Sequence, residues 1–415
     1  MTRRAAILSY HSSPLVEPGV GDSGGMTIFV RELTGALARR GMDTDIFTRA
    51  TGEHPRVSRL SRGVRVIGVD AGPLAAVGKE ELPEHLNEFA SGIQKFAAEQ
   101  KLEYDVIHSH YWHSGLAGSV LARAWQTPLV HSHHTLGLVK NRALAPGDLP
   151  EPPSRLAGER KVIDEADVLV ASTDEEWGQL SCLYGAPHDR LKVIHPGVDH
   201  KTFSPGNRAR ARRMLGLSNE RMVLYVGRIQ PLKGLELAIR AVEQVVPTMD
   251  RPVTFLIVGG PSGPRGEDEV RRLQRLVTEL QLEDVVRFVG PQPHSRLPFF
   301  YRAADALVVC SHSESFGLAA LEAHACGTPV VATPVGGLSH IVSDGESGFL
   351  VDTRDPSIFA GRLKTLLADD NLRSSFGSAA LRAAAGFSWE NTADSLHTLY
   401  ECLIEERLPE LCTCS

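Results

Sequence analysis

Short runs of apolar, β-branched residues alternate with longer stretches of helical periodicity along the first half of the chain. The pattern predicts a helix over Met26–Arg40 and strands at Ala5–Ser9, Thr44–Thr48, Val106–His108, Thr127–His131 and Val168–Ser172. Parallel strands are joined by crossovers of a dozen or more residues, usually helices. The first half therefore predicts a mainly parallel sheet that is covered by helices on both faces.

The same alternation starts again after residue 200. It predicts strands at Val223–Val226, Thr254–Val258, Val285–Phe288, Ala306–Val309, Pro329–Ala332 and Gly348–Val351. The helices predicted between them include Leu235–Val246, Glu269–Leu280 and Ser315–Cys326. The predicted fold class is α/β, with two Rossmann-like doubly wound domains.

Two prolines and a glycine interrupt regular structure between His195 and Pro205, so we place the domain boundary and a hinge there. The predicted domains are residues 1–200 and 201–388. A C-terminal helix is predicted within 389–415, and the sequence leaves open on which of the two domains it packs. Two such domains facing each other form a cleft at the carboxyl ends of both sheets, where ligands of open α/β folds bind. This arrangement favours an enzyme with two substrates.

Composition excludes several classes of partner. A net charge of -6 disfavours broad electrostatic binding to nucleic acid or to an anionic membrane. The longest apolar runs are far shorter than the ~20 residues that span a bilayer. Six cysteines among 415 residues are too few for a disulfide scaffold. We therefore expect a cytoplasmic protein.

Glycines and cations follow predicted strands where a phosphate would bind. Gly24 and Gly25 open the first helix, whose N-terminus favours negative charge, although a tight turn alone would also explain them. They do not form the G-x-G-x-x-G dinucleotide fingerprint, which weakens an oxidoreductase hypothesis. Arg228 and Lys233 follow Val223–Val226 and would hold a diphosphate and stabilise the charge that develops as it leaves. Solvated surface charge is the alternative.

Two acids accompany the helix predicted from Ser315. Glu314 and Glu322 are eight residues apart, just over two helical turns, so Glu322 is expected close to the face below Glu314. Glu322 would accept hydrogen bonds from ribose hydroxyls, and the backbone of Ser315–Gly317 would donate to a phosphate. In the alternative interpretation, the helix dipole alone favours Glu314 at the helix N-terminus, and Glu322 is an exposed acid on that helix.

Histidines follow two strands of the first half, in His108-Ser-His and His131-Ser-His-His. The H-x-H spacing has no carboxylate or cysteine partner, so we predict no metal site and interpret the imidazoles as neutral groups that orient a sugar or an acceptor. Polar residues near other strand ends are Lys79, Tyr111, Thr135 and Arg155. Lys79 with Arg155 would hold an anionic acceptor.

Gly24-Gly25, Gly227-Arg228 with Lys233, and Glu314-Ser-Phe-Gly-Leu with Glu322 together resemble the retaining GT-B glycosyltransferases of family 4 over nearly the whole chain. Within that family, His108-Ser-His-Tyr-Trp and Gly259-Gly-Pro-Ser-Gly are most similar to the mycothiol-pathway enzymes that glycosylate D-inositol 3-phosphate. Those enzymes move N-acetylglucosamine from its uridine diphosphate carrier.

The resemblance implies a nucleotide diphosphate sugar (UDP- or GDP-linked) as co-substrate, a small soluble acceptor, no catalytic metal even if Mg²⁺ is present, and a homodimer. The mechanism it implies is front-face retention, in which the leaving phosphate helps to deprotonate the acceptor. Residues with an implied catalytic role are His134, Arg228, Lys233 and Glu314. The implied donor site comprises His11, Gly25, Arg228, Lys233, Glu314, Ser315, Phe316, Gly317, Leu318 and Glu322. The implied acceptor site comprises Thr27, Lys79, Tyr111, Thr135 and Arg155.

Three residues of the first half depart from the mycothiol-pathway pattern. Thr27 stands where an Asn touches the inositol, Glu17 where a Gln is usual, and His133 where a smaller or apolar residue is common. Losing an amide that bonds a polyol hydroxyl leaves buried polar partners unpaired and costs discrimination. The alternative is a lincosamide-type natural-product paralogue that joins another nucleotide sugar, such as a GDP-sugar, to a small thiol or alcohol. A non-catalytic sugar-nucleotide sensor, a phosphorylase of the same fold and a membrane-lipid acceptor are further alternatives.

Overall fold

A computed structural model describes residues 2–19, 23–75, 77–146, 148–263 and 265–407. Residues 408–415, the end of the segment predicted to hold the C-terminal helix, lie outside the described residues. No helix within the described ranges has both the length and the apolar character needed to cross a bilayer.

The first domain contains one eight-stranded sheet in the order β3-β4-β2-β1-β5-β6-β7-β8, parallel except for the β3–β4 pair. Its strands are β1 (Arg4–Leu8), β2 (Asp43–Arg49), β3 (Val57–Ser61), β4 (Val64–Val69), β5 (Val106–His110), β6 (Leu129–Ser132), β7 (Val168–Ala171) and β8 (Leu191–Val193). Its helices are α1 (Gly25–Arg39), α2 (Leu86–Gln100), α3 (Trp112–Trp125), α4 (Gly137–Arg142), α5 (Pro153–Glu165) and α6 (Asp174–Tyr184). The five strands predicted in this half are confirmed to within about two residues at each end, whereas β3, β4 and β8 were not predicted.

The second domain contains a six-stranded, all-parallel sheet in the order β11-β10-β9-β12-β13-β14. Its strands are β9 (Arg221–Val226), β10 (Val253–Val258), β11 (Val286–Gly290), β12 (Ala306–Val309), β13 (Val330–Ala332) and β14 (Gly348–Leu350). Its helices are α7 (Arg208–Met214), α8 (Leu235–Val245), α9 (Gly266–Glu279), α10 (Leu297–Ala303), α11 (Leu318–Ala325), α12 (Leu338–Ile341), α13 (Pro356–Ala368) and α14 (Asp370–Ala384). The fold class predicted from the sequence is confirmed.

Strand β10 shows why continuous apolar runs form the centre of each sheet. Every residue of the strand is buried, and successive side chains point to opposite faces. Phe255 and Ile257 belong to one hydrophobic core, and Leu256 and Val258 belong to the core on the other face. A strand with helices on both faces buries all of its side chains, so its sequence reads as a continuous apolar run.

The chain crosses between the domains twice at the same place. Gly197 lies directly against Ser388, because a β-carbon on this glycine would be 2.2 Å from the Ser388 carbonyl carbon. After the second crossing, helix α15 (Trp389–Arg407) packs on the first domain, against α1. The buried Tyr400 hydroxyl lies 2.6 Å from Nδ1 of His108 in β5. The C-terminal helix is therefore part of the first domain's packing.

Candidate active site

The carboxyl ends of the two sheets border a cleft of about 390 Å³. This is the edge at which open α/β sheets bind ligands. Predicted site residues of the first domain that line the cleft are His11, Gly25, Lys79, Tyr111, His134, Thr135 and Arg155. Those of the second domain are Arg228, Lys233, Glu314, Ser315, Phe316, Gly317, Leu318 and Glu322. Thr27 is absent from the lining.

Lys233 and Glu314 form an ion pair on the second-domain wall. Lys233 ends a short 3₁₀ turn after β9, and Glu314 lies in the loop after the neighbouring strand β12. Nζ of Lys233 is 2.6 Å from Oε2 of Glu314. Both side chains are less than one-fifth exposed, so water screens this pair weakly. The sheet order, in which β9 and β12 are adjacent, brings these two residues together.

Arg228 lies on the same wall and reaches the first domain. Its Nη1 is 3.4 Å from the hydroxyl of Ser262, to which Gln230 also donates at 2.8 Å. A β-carbon on Gly24 would be 3.3 Å from Nε of Arg228. The guanidinium therefore faces the start of α1, next to the glycine pair that the sequence predicted to contact a phosphate.

The helix predicted to start near Ser315 begins three residues later, at Leu318. The expectation was wrong because Gly317 adopts a left-handed backbone, with φ +99°, which no helical residue has. Ser315–Gly317 thus form a loop in front of α11. The Ser315 hydroxyl donates a short hydrogen bond to the His134 carbonyl oxygen, so this loop joins the two domains.

Glu322, in the second turn of α11, is buried and already held at both oxygens. Tyr301 donates to Oε2 at 2.8 Å, and Nε2 of His294 lies 2.6 Å from Oε1. Burial lowers the pKa of His294, but the charge and hydrogen bond of Glu322 outweigh it and raise that pKa. Sequence reasoning missed both partners, although His294 follows β11 at the same sheet edge and could have been found by its position.

Arg155 stands at the centre of the first-domain wall and is only 3% exposed. Its guanidinium pairs with Glu159 at 2.8 Å and with Glu151 at 2.9 Å. It also donates to the backbone and side-chain oxygens of Thr135, at 3.1 and 3.0 Å, and lies over the Tyr111 ring. Thr135, Tyr111 and Arg155 were predicted to share one site, and the structure places them in contact.

Sequence reasoning missed the acids that hold Arg155. Glu159 also accepts hydrogen bonds from the Gly137 backbone, at the start of α4, and from Tyr184. Burial opposes charge on Glu151, but Arg155 and Lys140 outweigh it and lower the pKa of Glu151. The four-residue spacing of Arg155 and Glu159 would have been the signal for Glu159, since both lie on one face of α5, whereas Glu151 precedes that helix.

His134 lines the cleft with a left-handed backbone, at φ +60°. Its Nε2 lies 2.9 Å from Nδ1 of His110, which is fully buried beneath it. Burial lowers the pKa of His134 to about 3, so its imidazole is neutral at pH 7. The group can exchange one hydrogen bond with a sugar hydroxyl, and it is too weakly basic to hold a proton.

The other strand-end histidines form a layer beneath the cleft. His108, His131 and His133 are at most 1% exposed, and none of them lines the cleft. Burial, with smaller effects of neighbouring charges, lowers the pKa of His108 and His133 to about 3 and that of His131 well below its usual value. Across the described ranges, no cluster of three or more His, Cys, Asp or Glu side chains is arranged to hold a metal ion.

Because these histidines are buried and neutral, we expect the free energy of unfolding to fall steeply in mild acid. The unfolded chain takes up protons near pH 6.5, whereas the buried imidazoles stay neutral to about pH 3. Their contribution is therefore fully present above pH 6.5 and is lost as the pH falls toward 3. We expect His133→Leu to reduce the slope of unfolding free energy against pH by ~1.4 kcal/mol per pH unit below pH 6. Urea unfolding between pH 4.5 and 6 measures this slope.

The matched control is His54→Leu, because His54 is exposed in the loop before β3. Its slope should equal that of the unchanged protein. Equal slopes for both variants would show that His133 takes up a proton in the folded state and contradict the prediction.

The three residues that depart from the family pattern lie behind or beside the cleft. Thr27 is fully buried, with its hydroxyl 2.7 Å from that of Ser12 and 3.0 Å from that of Ser23. Glu17 is more than half exposed, 4.0 Å from Arg31. With His133 in the buried layer, none of the three lines the cleft.

Two family models match this chain: "Glycosyl transferase 4-like domain" over residues 24–197 and "Glycosyl transferases group 1" over residues 207–383. The D-inositol 3-phosphate glycosyltransferase of Acidothermus cellulolyticus is 49% identical, over 98% of this chain and 91% of that protein. The D-inositol 3-phosphate glycosyltransferase 2 of Catenulispora acidiphila is 47% identical, over 99% of each. The solved structure of sucrose-phosphate synthase from Thermosynechococcus elongatus superposes with a TM-score of 0.90 at 34% identity, over 97% of this chain and all of that one.

Proposed function

Because this chain belongs to the group 1 glycosyl transferases, in the family that includes the D-inositol 3-phosphate glycosyltransferases, we propose that it transfers N-acetylglucosamine from UDP-N-acetylglucosamine to D-inositol 3-phosphate. The observation that carries the proposal is that each of the two walls of the cleft presents two basic side chains. Arg228 and Lys233 stand on one wall, and Lys79 and Arg155 stand on the other. Both substrates of the proposed reaction carry phosphate groups, so each wall would bind the phosphate of one substrate.

The second-domain wall suits a nucleoside diphosphate. Arg228 and Lys233 would hold the diphosphate, whose two charges they match. The rigidly held carboxylate of Glu322 would accept hydrogen bonds from the ribose, because its oxygens keep lone pairs beyond those used by Tyr301 and His294. Glu314 and the Ser315–Leu318 backbone would bind the sugar and the adjoining phosphate.

The first-domain wall suits a phosphorylated polyol. Arg155 is preorganised by its two carboxylates, and its pKa is raised, so its positive charge is permanent. Thr135 places a hydroxyl beside it, the Tyr111 ring lies under its guanidinium, and Lys79 also lines the cleft. A phosphate bound here would lie next to His134, at the contact between the two domains.

Among the described residues, no carboxylate that lines the cleft is placed to act as a general base. Glu314 is paired with Lys233, Glu322 with His294, and the buried Glu176 accepts hydrogen bonds from Ser172. We therefore propose that the bond between the anomeric carbon and the phosphate oxygen breaks as the acceptor oxygen attacks from the same face. The acceptor proton passes to the leaving phosphate, and the anomeric configuration is retained.

A mass-resolved transfer assay tests the proposal. Uridine and guanosine diphosphate sugars are supplied separately, against inositol 3-phosphate and against a pool of small thiols and alcohols. We expect a product only with UDP-N-acetylglucosamine and inositol 3-phosphate. Donor hydrolysis without that product, together with a product from another pair, would refute this acceptor and support the natural-product alternative.

A further inference from the structure

The second domain holds another cavity, of about 280 Å³, away from the cleft. Arginines line it at five positions: Arg208, Arg212, Arg221, Arg251 and Arg373. Arg221 begins the six-residue strand β9, whereas the candidate donor-site residue Arg228 follows the other end of that strand. A strand rises ~3.3 Å per residue, so the two ends of β9 lie about 17 Å apart. The two cavities are therefore separate sites.

A buried aspartate organises the arginines. Asp305 is fully buried, and its carboxylate lies 2.5 Å from Arg208 and 3.1 Å from Arg373. Arg212 and Arg221 lie 3.5 and 3.7 Å from it. One carboxylate thus fixes four guanidinium groups around the cavity, and neutralises the charge of one.

The other carboxylates of the cavity do not balance the positive charge that Asp305 leaves on the arginines. Asp370 pairs with Arg221 at 2.7 Å and with Arg373, and Glu220 completes the wall. In the part of the chain that the structure describes, Arg251 makes no side-chain hydrogen bond or ion pair, and the buried Nε of Arg221 has no acceptor. Five guanidinium groups against three carboxylates leave an excess of positive charge and N–H donors without acceptors.

We propose that this arginine pocket binds a phosphate group, either as free inorganic phosphate or as the monoester of a small molecule. Planar guanidinium groups match the geometry of phosphate oxygens and bind them through paired hydrogen bonds. A bound phosphate would accept from Arg251, and its two charges would offset the excess of the wall. The cavity is large enough for a phosphate with a small organic substituent.

Calorimetric titration with inorganic phosphate, and separately with glycerol 3-phosphate, tests the pocket. The variant is Arg251→Gln, because this half-buried arginine has no side-chain partner among the described residues whose loss would unfold the protein. We expect saturable binding whose Kd rises by about tenfold or more in the variant, the scale of one charged hydrogen bond. The tighter of the two probes identifies the source of the phosphate.

Two further variants separate this pocket from other anion binding. Arg62→Gln removes an equal charge from the exposed turn between β3 and β4, and Lys233→Ala removes a cation from the cleft. Both should leave the pocket's Kd unchanged. The proposal is overturned if neither probe binds saturably, if Arg62→Gln weakens binding as much as Arg251→Gln, or if only Lys233→Ala abolishes it. None of these outcomes depends on whether the protein transfers N-acetylglucosamine.

Discussion

Replacing Lys233 with alanine is expected to lower kcat/KM by about 100-fold. The Lys233 ammonium lies 2.6 Å from Glu314 in a weakly screened part of the cleft, where the diphosphate would bind. Charge accumulates on that diphosphate as the glycosidic bond breaks, so the lysine stabilises the transition state more than the bound donor. The loss should therefore appear mainly in kcat. Steady-state kinetics with the donor and acceptor identified by the transfer assay measure it.

Lys364→Ala is the matched control, because Lys364 is an exposed lysine on α13 of the same domain. Its kcat/KM should equal that of the unchanged protein, and both variants should melt within a few degrees of it. A Lys233→Ala enzyme that keeps kcat/KM within threefold would contradict the assignment of this lysine to the leaving diphosphate.

The strands that could be predicted from the sequence are those that helices cover on both faces. Strand β10 is apolar at five of its six positions because helices cover both of its faces, and such runs marked the strands at the centre of both sheets. The missed strand β3 lies at the sheet edge, and none of its five residues is buried. Its neighbour β4 is interrupted by Arg65, which pairs with the buried Asp45. A short polar edge carries little hydrophobic signal, so periodicity could not find it.

The part of the site that the sequence could predict is the set of polar residues in the loops that follow strands. Arg228, Lys233 and Glu314 were placed on one wall because parallel strands end at the same sheet edge. Which groups pair is decided by contacts between distant parts of the chain. His294 and Glu322 are 28 residues apart, and Ser315 and His134 are 181 apart. No local spacing encodes such contacts.

Thr27 shows the same limit for a predicted site residue that does not reach the cleft. The family resemblance implied that Thr27 contacts the acceptor, because it stands where an Asn touches the inositol in the mycothiol-pathway pattern, but such a pattern does not say which side of a helix faces a cleft between two domains. In the structure its side chain turns toward Ser12 and Ser23, and the hydroxyl is used within the first domain. A family pattern therefore locates the segment, while packing decides which of its side chains reach the cleft.

Replacing Gly336 with alanine is expected to lower kcat/KM by about 100-fold, the scale of a displacement of about 1 Å in a catalytic site. Gly336 lines the cleft with φ +54°, a conformation that alanine adopts only with strain. A β-carbon there would stand 1.6 Å from the carbonyl oxygen of Glu314, so one of the two loops must move. That movement would carry Glu314 away from Lys233. Steady-state kinetics alongside far-UV circular dichroism measure the effect.

Gly361→Ala separates this local displacement from the general effect of removing a glycine. Gly361 lies within α13 with nothing within 4 Å of the added β-carbon, so alanine should stabilise the helix by ~0.5–1 kcal/mol and leave kcat/KM unchanged. Because the strain at Gly336 falls on Glu314, the Gly336→Ala enzyme should stay folded while its kcat falls. Full activity in a folded Gly336→Ala variant would show that the position of the Glu314 loop does not govern the chemistry, and that Lys233 acts without its acidic partner.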